Sequence, residues 1–174
     1  MNGDIFILTV LLAFSFYAYV LYRISRRAGA DYGYWRFLIP FYDIQIICKI
    51  GGQRGFYPYI PLVLGIVLAM FLQDNTIPKE ILIYKGVFWS SCIFSSFFIA
   101  KAWGNIAEKL GRDKTVYFTL FFLLPCLFII KDINETIGIT IIPIVMTNLT
   151  LVFLALPVLS LAFYKSPKDN PFGL

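Results

Sequence analysis

The stretch WRFLIPFYDIQIICKIGG, Trp35 to Gly52, decides how this chain is read. It is apolar enough for a membrane but short, it carries Arg36 and Asp43, and Pro40 interrupts it early. Either it crosses a bilayer or it lies along one face of it. The two readings put every later loop on opposite sides, so the rest of the chain chooses between them.

The 174 residues are 59% hydrophobic, 18% aromatic and 14% charged. A soluble domain carries about 25% charged residues. The mean hydropathy of +0.77 leaves little room for a water-soluble core. The apolar runs are long and continuous rather than alternating, which predicts helices instead of barrel strands. The fold class expected is therefore an all-α membrane protein, a single bundle of transmembrane helices.

Five segments have spanning length or nearly so: about 5–22, 56–72, 83–103, 116–130 and 137–163. The first reaches ~27 Å at 1.5 Å per residue. Pro58 and Pro61 open the second. The third can run on as helix to Leu110, where Gly111 can cap it. Pro125 lies inside the fourth, and Pro143 and Pro157 inside the fifth. One transmembrane domain over 1–165 is expected, with a loose polar tail over 166–174. Asp4 precedes the first run and RISRR follows it. A signal peptide has the opposite polarity, so this run reads as a retained anchor.

Cationic residues orient the spans. With the N-terminus outside, the cytoplasmic side holds 12 of the 15 Lys and Arg residues, and the outside holds Lys79, Lys85 and Lys131. This predicts a multi-pass protein of a prokaryotic plasma (inner) membrane, N-terminus out and C-terminus in. A crossing over 35–50 would invert the bias of the later loops. The opening stretch is therefore expected to be interfacial or re-entrant, with a helix over about 40–50. Pro40 suits a first helical position. Asp43 falls in the first turn, where the helix dipole favours an anion by ~0.3–1 kcal/mol. Lys49 falls in the last turn, and Gly51-Gly52 stop the helix. Trp35 suits the headgroup level. The helix is apolar almost all round, so it is expected to pack on the bundle as well as on lipid.

Trp35, then Leu38-Ile39-Pro40-Phe41-Tyr42-Asp43, then Lys49-Ile50-Gly51-Gly52 resembles W-x-x-L-I-P-x-Y-N followed by K-I-A/G-G. That pattern belongs to a small uncharacterised prokaryotic membrane family, some members of which are described as signal-peptidase-like. Ala107-Glu108-Lys109-Leu110-Gly111-Arg112 and the later Leu124-Pro125 are similar to the family's A-K-K-F-G-K-like stretch and the Leu-Pro that follows. The resemblance covers about 35–131. Asp43 stands where Asn is usual and Leu110 where Phe is usual. The hairpin over 73–85 is longer, and the fifth span has no counterpart. The resemblance implies a small multi-pass membrane protein and carries over no activity.

Little catalytic chemistry is available. The chain has no histidine, the commonest general base and metal ligand. Cys48, Cys92 and Cys126 are far apart in apolar runs, with no zinc or redox spacing. No metal site and no cofactor are expected. The net charge of +5 is distributed between apolar runs, so no nucleic-acid partner is expected either. A Ser–Lys dyad fails on geometry. Ser95 and Ser96 are displaced from Lys101 by about 240° and about 140° around a helix.

The polar residues that remain form one candidate set. Lys101, Asn105 and Glu108 follow i, i+4, i+7 and share a helix face. With Arg36 and Asp43 they would line a cytoplasm-facing pocket or groove. The structural alternative is a snorkelling Lys101 at the solvated end of a long helix, with Asp43 paired to Lys101 or Arg36. Thr147 and Asn148 lie near the middle of the fifth span. They suit interhelical packing, or else a polar patch.

The function expected first is a non-enzymatic membrane protein that acts through a protein partner or a homo-oligomer: an accessory subunit, regulator or immunity-type protein in the lipid bilayer. The second is lipid or small-molecule binding or transport at the polar set. The third is a membrane-embedded enzyme with Asp43 or Glu108 as acid or base.

Overall fold

A computed structural model describes residues 3–39, 41–72, 78–123, 127 and 155–163. All regular structure among them is helical. Helix α1 is Gly3–Arg27. A 3-10 turn over Tyr34–Leu38 leads into α2, Tyr42–Ile50. Helix α3 is Tyr59–Leu72 and α4 is Pro78–Lys109. Helix α5 covers Lys114–Leu123, and α6 covers 155–163.

Over Ile7–Arg27, α1 is long and apolar enough to cross a bilayer. Among the described residues it alone meets both conditions; Tyr59–Leu68 and Lys114–Leu123 are shorter apolar helices. Residues 124–126 and 128–130 of the fourth expected span, most of the fifth, the tail, and Thr147 and Asn148 lie outside the described residues. Helix α1 runs about a turn past the expected end, through RISRR. Arg26 and Arg27 occupy its last turn, where the dipole favours cations.

The expected helix over 40–50 begins instead at Tyr42. Phe41, just before it, adopts φ 67° in the left-handed region, which a non-glycine residue rarely takes. The chain thus turns sharply before α2 starts. The other end is as expected. Gly51 follows the helix, Gly52 has φ 75°, and the Gln53 N–H donates to the Cys48 carbonyl at 2.8 Å. Helix α4 starts earlier than expected, at Pro78, and ends where expected. Gly111 has φ 74°. The Arg112 N–H donates to the Ala107 carbonyl at 2.8 Å, the paired closure of a glycine-terminated helix. Asp113 then caps α5, accepting from the N–H groups of Thr115 and Val116 at 2.7 and 3.0 Å.

The core gathers at the basic ends of the helices. Leu21 and Ile24 of α1, Ile46 and Cys48 of α2, Ile106 of α4, and Leu161 of α6 are all buried there. Trp103 of α4 stacks on Phe121 of α5, centroids 4.7 Å apart and planes within 6°. Arg27 donates to the Leu161 carbonyl at 2.7 Å, and Arg23 lies 4.7 Å over the Phe163 ring. Two cations at the end of α1 therefore hold the end of α6. Helix α3 packs along α4, with Gly65 buried against Ser91.

The other half of α1 is bare. Every residue from 7 to 16 is exposed, among them Leu8, Leu12 and Phe16 at 59%, 63% and 55%. Leaving such a side chain in water forgoes ~1.5–3 kcal/mol. A face of this extent calls for lipid or another protein around it.

Candidate functional site

The C-terminal end of α2 is clamped onto α4. The side-chain Nδ2 of Asn105 donates to the Gly51 carbonyl at 2.7 Å. Lys109 Nζ donates to the Ile50 carbonyl. In the other direction, Gln53 Nε2 donates to the Phe98 carbonyl at 3.0 Å. The last carbonyls of a helix have no partner within it, and they carry the negative end of its dipole. One amide and one ammonium from α4 supply what they lack. The contact is close because Gly51 has no side chain. A Cβ there would stand 2.6 Å from the Ala102 Cα and 2.7 Å from its carbonyl oxygen.

Asp43 occupies a different place, in the first turn of α2. Its Oδ1 accepts from the Ile44 N–H at 2.8 Å. Tyr17 of α1 and Tyr59 of α3 lie within its electrostatic reach. The Tyr59 hydroxyl donates to the carbonyl of Phe41, tying α3 to the left-handed turn. Burial holds the Asp43 carboxyl above the usual carboxylate range, against the opposing pull of its backbone hydrogen bonds.

Of the five residues of the candidate set, Lys101, Asn105 and Glu108 share one side of α4, while Arg36 and Asp43 stand on other elements. No hydrogen bond or ion pair joins any two of them among the described residues. Asp43 is paired with neither Lys101 nor Arg36. The Arg36 guanidinium stands over the rings of Tyr32 and Trp35, at 5.8 and 5.4 Å. Glu108 accepts from Lys114 at 3.0 Å across the α4–α5 turn, an exposed pair. Asn105 is spent on the α2 clamp. Lys101 is exposed, while Ser95 is 3% exposed on another side of α4. Among the described residues no group of three His, Cys, Asp or Glu side chains could hold a metal ion.

Spacing alone missed Lys109, Gln53, Tyr17 and Tyr59. Lys109 had a signal, because it lies four residues after Asn105 and extends its stripe. A tyrosine inside an apolar helix needs somewhere to place its hydroxyl, but that does not say where.

The arrangement defines an all-helical bundle whose polar side chains mainly hold helix ends. No family model matches the chain, and no solved structure matches it. Over 85 residues, 48% of its length, the chain is 31% identical to the Na(+)/H(+) antiporter subunit A1 of Staphylococcus haemolyticus (strain JCSC1435). It has the same identity over the same length to the subunit of that name in Staphylococcus aureus (strain JH9). The match covers 10% of each relative, so the chain spans about a tenth of the length of the curated relatives it matches.

Proposed function

We propose that this chain is a multi-pass protein of a prokaryotic plasma membrane that performs no catalysis of its own and acts through a protein partner, as an accessory subunit or regulator. The observation that carries this reading is the bare half of α1. Ten consecutive positions, 7 to 16, are exposed, the longest such run among the described residues. A partner helix laid along them would bury the apolar face that the chain itself leaves open.

Two further points support it. The relatives are named as subunits of an antiporter, a protein built from more than one chain. The polar donors that a catalytic site would use, Asn105, Lys109 and Gln53, are committed to backbone carbonyls. The resemblance of Trp35–Gly52 to a prokaryotic membrane family fits the same reading. In full, the proposal is one domain over 1–165 with five spans, N-terminus out, α2 along the cytoplasmic face, and a tail over 166–174. The distribution of 12 cations against 3 is its support.

The test is a photocrosslinking residue in place of Leu12, with native mass spectrometry of the nanodisc-embedded protein tagged after Leu174. One discrete adduct, to the same protein that co-purifies in fixed stoichiometry, supports the proposal. A lone chain whose Leu12 position crosslinks to lipid only overturns it.

A further inference from the structure

An apolar groove of about 450 Å³ runs between α3 and α4, lined by Tyr57, Ile60, Pro61, Leu64, Phe94 and Phe98. Its walls face outward: Ile60, Leu64 and Phe94 are 55%, 57% and 65% exposed. The volume lies in the range of small-ligand sites. A second helix, about 10 Å across, would not enter it.

The groove has a charged end. On α4, Phe94, Phe98 and Lys101 follow i, i+4, i+7 and form one stripe. Lys101 therefore stands about 10 Å along the helix from Phe94, and on the same side. Arg54 lies in the loop that leads into the other wall, its carbonyl accepting from the Tyr57 N–H at 3.2 Å. Gln53 beside it bonds to the Phe98 carbonyl at 3.0 Å, and the Tyr57 ring lies 5.6 Å from that of Phe98. Arg54 and Lys101 are both exposed. Neither makes an ion pair among the described residues.

We propose that the α3–α4 groove and the two cations at its basic end form a binding site for an anionic phospholipid, with one acyl chain in the groove and the phosphate at Lys101 and Arg54. The chemistry is complementary at both ends. An acyl chain is apolar throughout, as the lining is, and a phosphate seeks ammonium and guanidinium groups. The inference rests on the membrane reading above and is independent of the protein partner.

The experiment presents the detergent-purified chain with mixed micelles of phosphatidylglycerol and phosphatidylcholine, and counts retained lipid by native mass spectrometry. Preferential retention of phosphatidylglycerol is expected. Lys101→Gln and Arg54→Gln are each expected to lower that preference about five-fold. Arg26→Gln, which removes the same charge from α1, leaves it unchanged. Leu64→Trp, which fills the groove, abolishes retention of both lipids while helicity by circular dichroism persists. Equal retention of the two lipids, or a loss with Arg26→Gln as large as with Lys101→Gln, overturns the site. Carbonate extraction of the source membranes separates the two failures. A chain released into the supernatant overturns the membrane reading itself, whereas a chain kept in the pellet leaves the lipid counts to decide.

Discussion

Asn105 reaches across 54 positions of sequence to donate a hydrogen bond to the Gly51 carbonyl at 2.7 Å. That bond joins a long helix to the end of a short one. Around it are Lys109 on the Ile50 carbonyl, Gln53 on the Phe98 carbonyl, and Gly51 seated against Ala102. The clamp sets where α2 sits on the bundle, and with it where Asp43 meets Tyr17 and Tyr59.

Asn105→Ala leaves the buried Gly51 carbonyl without its side-chain donor. The expected cost is ~1–3 kcal/mol. Glu108→Gln, three residues on, removes only an exposed ion pair with Lys114 and is expected to cost ~1 kcal/mol or less. Denaturant unfolding in detergent, followed by tryptophan fluorescence, compares the two variants. Equal losses would mean the clamp is no stronger than the surface pair.

Gly51→Ala puts a Cβ within 2.6 Å of the Ala102 backbone. The helices must part, at ~1–3 kcal/mol. Gly86→Ala, on α4 with nothing within 4 Å of the added Cβ, is the control and is expected to cause no comparable loss. Melting temperatures of the two variants decide, and equal losses would exclude the contact.

Burial raises the Asp43 carboxyl above its ordinary range, so the ionised form is disfavoured in the folded protein. Below the ordinary carboxylate range the group is neutral folded or unfolded, and carries no penalty. As pH rises through that range the unfolded chain ionises first and stability falls. The penalty is complete once pH passes the raised value. Asp43→Asn is expected to flatten this decline, so that its stability advantage grows from acid to neutral pH. Parallel curves of melting temperature against pH would refute the assignment.

Thiol labelling reads the orientation. In a chain with Cys92 and Cys126 changed to Ala, Thr76→Cys is expected to react with a membrane-impermeant maleimide in intact cells. Lys49→Cys should react only after permeabilisation. Cys48 stays silent in both, because burial pushes its thiol up to about 11 and leaves little thiolate at neutral pH. The reverse pattern of the two introduced cysteines would invert the topology.

What the residues determined by themselves is local. The end of α2 at Gly51-Gly52, Asp43 in its first turn, Lys49 in its last, and the end of α4 before Gly111 were all legible. Caps, dipoles and glycine backbones act within one turn of the residue that supplies them. The start of α2 was not. Pro40 suited a first helical position, but the helix begins at Tyr42, after the left-handed turn at Phe41 that Tyr59 of α3 ties down.

Tertiary structure alone decided which polar groups meet. Periodicity put Lys101, Asn105 and Glu108 on one face of α4, and they do share it. Lys101 and Glu108 remain exposed, while Asn105 at their edge is drawn onto the Gly51 carbonyl. A repeat of 3.6 residues says which side chains share a face, but not what packs against that face. The small pair Gly51 and Ala102, far apart in the chain, let the two backbones approach. That approach sent Asn105 inward, left Lys101 open above the apolar groove, and kept Asp43 apart from both.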